Sequence, residues 1–242
     1  MNNLNIDDKY FNERVEEVFL SYPFPDKFLD TCIDIGGNVG AFSVLFSNYC
    51  KKVISVEPYK PNYDYMDNII KKFNITNVET VNKAISDVDG KALEMSVGAG
   101  DKVDSGDISC VEKKGGMVSL GSVETVSLES IMGEYESIDY IKVDCEGCEY
   151  DLLYGKDLSK LNCLVVETHG GFIGGDNEKD LLKYLGDNFK HSYSNTEQMG
   201  KTYIFYNDDQ PNYSELLMWK STPSTSTAPF HEHYRNMKKI FI

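Results

Sequence analysis

Apolar positions recur at helical spacing in residues 10–20, where Phe11, Val15, Val18 and Phe19 share one face, and Pro23 and Pro25 end that pattern. Phe28 to Ile35 then reads as a buried strand running into Gly36-Gly37-Asn38-Val39-Gly40, followed by an apolar helical stretch from Ala41 to Tyr49. Lys52 to Val56 is a second strand, Asn62 to Phe73 a helix carrying Tyr65, Met66, Ile69, Ile70 and Phe73, and Val78 to Val81 a third strand. The second half repeats the alternation: helix near Leu128 to Met132, strand Ile138 to Val143, helix Tyr150 to Leu153, strand Leu161 to Val166, helix Glu178 to Leu185. Such alternation predicts a doubly wound α/β fold with a mostly parallel sheet covered on both faces. His191 to Ser194 and Thr202 to Tyr206, separated by the turn-like Asn195 to Gly200, predict an antiparallel hairpin at one sheet edge.

Three parts follow: a helical extension over 1–28, a main domain over 29–207 and a tail over 208–242 containing the low-complexity run Ser221 to Thr227. Residues 98–121 are rich in Gly, Asp, Ser and Lys, which predicts a long polar loop placed to cover an acceptor. No internal repeat of solenoid period is visible.

Composition narrows the partners. The 242 residues carry 24 Lys and Arg against 39 Asp and Glu, a formal charge of −15, which argues against nucleic acid and against anionic membrane surfaces. No apolar run approaches the roughly 18–20 residues of a spanning helix. The polar start, with Asp7 and Asp8, lacks the pattern of an export signal, and six scattered cysteines fit a reducing cytoplasm. Oligomeric state is not encoded in any pattern seen here.

The candidate chemistry lies at strand ends. The glycine loop from Gly36 to Gly40 follows a strand and opens a helix, where a doubly wound sheet presents its crevice. Glu57 closes the second strand about 20 residues later, where an acidic side chain accepts hydrogen bonds from ribose hydroxyls. The dinucleotide fingerprint is missing, because Asp34 occupies its first glycine position, and a carboxylate there suits the cationic S-adenosylmethionine better than a pyrophosphate. Asp144 and Glu146 lie at the end of one later strand, Glu167 and His169 at the end of the next.

In the order of these motifs, Asp34 to Gly40, Glu57-Pro58, Ala84-Ile85-Ser86, Ile141 to Glu149 and Glu167-Thr168-His169, the chain resembles the FkbM family of methyltransferases over roughly residues 30–206. Gly37 stands where that loop is associated with alanine, a change expected to loosen the turn. The resemblance implies a Rossmann-like, class I methyltransferase sheet and O-methylation of a hydroxyl on a small, sugar- or glycan-like acceptor. It implies that Gly36, Asn38 and Gly40 cradle the amino-acid end of S-adenosylmethionine, to which the charge of Asp34 adds a further cofactor-binding candidate. Glu57 and Pro58 would hold its ribose, Ala84 and Ile85 its adenine, and Asp144 the methyl-transfer centre. His169 and Asp144 are then the candidate bases, with Glu146 and Glu167 orienting them. A divalent metal on Asp144, Glu167 and His169 is chemically admissible.

Other signals are set aside. Cys145 and Cys148 have redox or zinc spacing without a second ligand pair, and His231-Glu232-His233 lies in the weakly patterned tail. The tyrosines from Tyr59 to Tyr65 read as helix packing. The competing classes are a binding module with a degenerate cofactor site and a nicotinamide-dependent oxidoreductase, and cofactor preference separates all three.

Overall fold

The Asp7 carboxylate accepts the Tyr10 N–H at 2.9 Å and so caps α1 (Asp8–Ser21), whose Phe11, Val15, Val18 and Phe19 are buried. The structure, a computed structural model, describes residues 6–25, 27–98, 105–110, 117–195 and 201–207. The chain continues through β1 (Leu29–Ile35), α2 (Ala41–Phe46), β2 (Cys50–Val56), α3 (Lys60–Lys72) and β3 (Val78–Val81). Next come β4 (Ala84–Ser86), β5 (Ala92–Gly98), β6 (Met117–Ser127), α4 (Leu128–Gly133), β7 (Tyr140–Val143) and α5 (Glu149–Leu153). The last elements are β8 (Cys163–Thr168), α6 (Gly170–Ile173), α7 (Gly175–Asn188), β9 (His191–Asn195) and β10 (Lys201–Tyr206).

Seven strands form the main sheet in the order β3-β2-β1-β7-β8-β10-β9. The first five are parallel, and β10 runs antiparallel to both β8 and β9, so the expected doubly wound sheet ends in the expected antiparallel hairpin. Alternation along each strand divides the core in two. Cys32, Tyr140, Cys163 and Val165 pack with α1, α2 and α3 on one face. Ile33, Ile35, Ile141, Val143, Leu164 and Val166 pack on the other, with Leu128, Leu152, Leu181 and Leu185.

That period of two decides where the chemistry goes. Asp34 and Lys142 are register partners on neighbouring strands, on the same face as Cys32 and Tyr140. Glu167, two residues beyond Val165, shares that face, and α1 passes over it. The connection leaving α1 is pinned to the sheet, because the buried Tyr140 hydroxyl donates to Pro23 O at 3.1 Å.

One part of the chain departs from its pattern. Met117 to Gly121, expected inside a polar loop, begins β6, which pairs with β5 and β4 in a separate three-stranded sheet. The long β6 is mostly exposed or half-buried, so its backbone ladder is not announced by alternating apolar residues, and a register shift at Met95/Ser96 blurs β5 further. The expected turn at 196–200, the loop stretches 99–104 and 111–116, and the tail with Ser221 to Thr227 and His231 to His233 lie outside the described residues. Among the described residues, no helix is long and apolar enough to cross a membrane.

Phe46 is fully buried, stacked on Phe42 with centroids 3.9 Å apart and tilted against Tyr140 at 4.9 Å. Phe46→Ala is expected to lower unfolding free energy by about 3–5 kcal/mol in urea denaturation, by lost burial plus the cavity left between α2 and the sheet.

Candidate active site

Gly36 and Gly37 both donate to Val56 O at 3.0 Å, holding the glycine loop across the ends of β1 and β2. Gly36 has φ +78°, and a Cβ there would lie 1.8 Å from Asp144 O, so this position tolerates no side chain. The loop is not loosened at Gly37: a Cβ there would sit 2.3 Å from Ser55 Oγ and 3.3 Å from Met66 Sδ, so glycine is what the packing requires.

Beyond this loop lies a crevice lined by Asn38, Glu57, Pro58, Ile85, Ile108 and Asp144 among others. Glu57 is buried; its Oε2 accepts the Asn38 N–H and its Oε1 the Tyr59 N–H, both at 2.8 Å. Burial pushes its carboxyl up to about 7, although both N–H donors pull the other way. Asn82 Nδ2 donates to Glu57 O and Pro58 O, which fixes the turn carrying the carboxylate. Asn38 donates its Nδ2 to the Tyr10 hydroxyl at 3.2 Å, and its buried Oδ1 has no partner. Gly40 caps α2, and Ala84, fully buried, lies behind Ile85 and off the crevice wall. Residues 105–110 close one side, tied by Asn62 Nδ2 to Ser105 O at 3.0 Å and by Ser109 Oγ to Glu146 O at 2.6 Å.

Asp34 lines neither this crevice nor the cavity beside it. It sits beneath the loop, fully buried, accepting from Ser43 Oγ at 2.7 Å and Ser55 Oγ at 3.1 Å. Its Oδ1 is 3.2 Å from Lys142 Nζ, an ion contact rather than an aligned hydrogen bond. Lys142 also donates to Gly36 O at 2.7 Å and lies 3.5 Å from Asp144 Oδ2. Burial alone would lower its pKa, but the Asp34 and Asp144 carboxylates outweigh that and hold it charged.

A second cavity of about 410 Å³ opens on the α1 side. It shares Gly36, Asn38, Gly106, Asp144 and Glu146 with the crevice and adds Tyr22, Phe42, Glu167 and His169. The Tyr22 hydroxyl lies 3.1 Å from Asp144 Oδ2 and 3.2 Å from Glu167 Oε2. One hydroxyl proton cannot serve both, and burial together with the Asp144 charge pushes Glu167 up to about 8, so Glu167 brings a proton of its own at neutral pH. Burial would lower the His169 pKa, but the hydrogen bonds its ring donates to Glu146 and Glu149 push it up to about 11. Its Nδ1 is 2.6 Å from Glu149 Oε1 and its Nε2 3.3 Å from Glu146 Oε1.

The four candidate catalytic residues Asp144, Glu146, Glu167 and His169 therefore converge on one cavity. The metal-compatible set differs from the expected one: Asp144, Glu146 and His169 offer atoms within 4.8 Å of one another, while Glu167 turns to Tyr22. Cys145 and Cys148, set aside in the sequence, are joined by a disulfide across the turn that presents Glu146, and both line the crevice. Lys142, Tyr22 and Glu149 were not singled out. Lys142 carried a signal, a lone charge inside an apolar strand beside another strand holding Asp34; Tyr22, just past a helix end, carried none.

The strand order and the crevice at the carboxyl ends of β1, β2 and β7 define a class I methyltransferase-like fold. Residues 34–203 match the methyltransferase FkbM domain, and the chain belongs to the FkbM methyltransferase family. Methyltransferase FkbM from Methylobacillus flagellatus KT is similar in structure, with a TM-score of 0.51 at 12% identity over 83% of this chain. The chain spans about half of that protein, 50% of its length. Precorrin-6y C5,15-methyltransferase from Geobacter metallireducens GS-15 gives a TM-score of 0.43 at 11% identity, over 86% of this chain and 92% of that one. An rRNA methylase from Streptococcus thermophilus gives 0.44 at 9% identity, over 81% and 95%. At 12% identity the likeness to the Methylobacillus protein is one of fold. None of the curated proteins matches the chain.

Lys142→Met leaves Asp34 charged and buried without a counter-ion, and is expected to cost about 3–5 kcal/mol of unfolding free energy. Adding Asp34→Asn should recover at least half of that loss in urea denaturation; no recovery would mean the lysine acts through packing alone.

Proposed function

We propose that the chain is an S-adenosylmethionine-dependent O-methyltransferase whose acceptor is a hydroxyl of a small, sugar- or glycan-like molecule, with residues 29–207 as the cofactor-binding unit. The observation that carries this reading is the pair of cavities sharing one wall at Gly36, Asn38 and Asp144. One takes a nucleoside and the other an acceptor, and the wall between them is where the transferred group passes.

The residues present fit the cofactor. Asn38 Oδ1, buried and without a partner, is an acceptor in want of a donor, which the cofactor's ammonium supplies. Glu57 has lone pairs left after accepting two N–H groups and meets ribose hydroxyls, while Pro58, Ile85 and Ile108 offer apolar surface to adenine. Asp34 acts indirectly, by holding the loop through Lys142, and Gly40 by starting α2. When bound, the cofactor supplies an electrophilic methyl group on a good leaving group.

The protein's remaining task is to align the acceptor oxygen and remove one proton. Asp144 stands on the shared wall and takes that proton, with its Oδ2 held by the Tyr22 hydroxyl and Glu167 beyond it. His169, clamped between Glu146 and Glu149, positions Glu146 rather than accepting the proton. A cavity of about 410 Å³ is in the usual range for small-molecule sites. Its carboxylates accept from several hydroxyls at once, and Tyr22 and Phe42 give a sugar ring an apolar face. The chain's acidity supports a non-nucleic-acid acceptor.

Calorimetry with S-adenosylhomocysteine tests the cofactor half. Glu57→Ala should weaken binding about 10–100-fold, the worth of hydrogen bonds to a charged group. In the wild type, affinity should fall roughly tenfold between about pH 7.5 and 6, because the Glu57 carboxyl, pushed up to about 7 by burial, offers ribose the stronger, charge-assisted acceptor pair when ionised. Glu57→Gln should flatten that profile. Transfer of labelled methyl from S-adenosylmethionine to a panel of monosaccharides and oligosaccharides tests the acceptor half. Binding of NAD instead, or of neither cofactor by folded protein, would overturn the reading.

A further inference from the structure

We infer that Asp144, Glu146 and His169 form a binding site for one divalent cation of the magnesium or manganese class, facing the acceptor cavity. Its role rests on the methyl-transfer reading above; its existence does not.

The geometry is that of a preformed face of three ligands. His169 Nε2 lies 3.3 Å from Glu146 Oε1 and 3.8 Å from Asp144 Oδ1. Adjacent ligands in an octahedron with bonds of about 2.1 Å are about 3 Å apart, so small movements of flexible carboxylates bring all three onto one ion. The set is mixed, two hard carboxylate oxygens that suit Mg²⁺ or Mn²⁺ and one imidazole that other first-row divalent ions also accept.

The imidazole is already oriented for this. Glu149 is fully buried at the start of α5, and its Oε1 accepts from both Gly147 N at 3.2 Å and His169 Nδ1 at 2.6 Å. The Glu149 carboxylate on Nδ1 leaves Nε2 as the nitrogen turned toward Asp144 and Glu146, the usual orientation behind ligating histidines. Asp144 is divided in the same way: Oδ2 faces Tyr22 and Lys142, while Oδ1 faces His169. One carboxylate can thus serve the ion with one oxygen and the proton path with the other.

Charge favours a cation at this place. Asp107, Asp144, Glu146 and Glu167 line the cavity together with Lys142, Glu17 and Arg14; Arg14 is paired with Glu17, and Lys142 is bound to Asp34 beneath the loop. An ion held by Asp144, Glu146 and His169 Nε2 would have its other positions open to the cavity. Acceptor hydroxyls on neighbouring carbons would fill them, which narrows the acceptor class to vicinal diols.

The test uses the full chain, stripped with a chelator and titrated with Mn²⁺ while free Mn²⁺ is followed by electron paramagnetic resonance. One Mn²⁺ per chain is expected, with affinity lowered at least about tenfold in Glu146→Gln and in His169→Gln. Glu167→Gln should bind within about threefold of the wild type. Substoichiometric Mn²⁺ should broaden the imidazole proton resonances of His169 before those of His191 in the unmutated chain, which keeps the test valid should a variant fail to fold. S-adenosylhomocysteine binding is measured on the same samples. Intact nucleoside binding without Mn²⁺ binding, or with His191 broadened first, overturns the cation site and leaves the methyltransferase reading standing. Equal weakening by Glu167→Gln overturns the ligand set.

Discussion

Lys142 is set inside the sheet face that α1 and α2 cover, in contact with Asp34 on one side and Asp144 on the other. Charges so deep in a protein are tolerated only when paired and hydrogen-bonded, and each of these is. Ser43 and Ser55 serve Asp34, Gly36 O and Ile35 O serve Lys142, and Tyr22 serves Asp144. The pair therefore joins β1 to β7 below the glycine loop and fixes the loop from beneath, while Val56 O fixes it from the side. Both cavities have this loop as a common boundary, so their relative position follows from a single buried ion pair.

Much of this arrangement follows from the period of two along three strands. Apolar runs at Phe28 to Ile35, Ile138 to Val143 and Leu161 to Val166 give the strands, and the residues just beyond them bring Glu146, Glu167 and His169 to one rim. Glu57 emerges at the end of β2 for the same reason. Which oxygen meets which donor was not legible, because those partners lie far apart along the chain. Tyr22 meets Asp144 across 122 residues and Glu167 across 145, and neither contact leaves a local pattern. Asp34 shows the limit from the other side: its position in the glycine motif suggested a place beside the ligand, whereas strand alternation turned it inward to a lysine. The small sheet of β4, β5 and β6 was illegible for another reason, since a mostly exposed ladder needs no apolar alternation to form.

The run from Asp144 to Glu149 concentrates several duties in six residues. Glu146 has φ +54° and Gly147 φ +112°, a tight turn that brings Glu146 to the shared wall while Glu149 turns inward to His169. The Cys145–Cys148 disulfide spans the same turn. A segment this short can carry so many functions because its ends are held elsewhere, by β7 in the sheet and by α5 on the opposite core.

Gly37, Ser55 and Met66 touch in a way that makes their identities interdependent. Ser55 Oγ fills the space a methyl group at position 37 would need, and that hydroxyl also supports Asp34. An alanine at 37, such as the family resemblance associates with this loop, requires the Ser55 hydroxyl to rotate away or a smaller residue at 55, and the Met66 thioether to give by a few tenths of an ångström. The two sites are therefore coupled through one hydroxyl: moving or removing it to admit a methyl group at 37 leaves Asp34 held by the Ser43 hydroxyl and Lys142 alone.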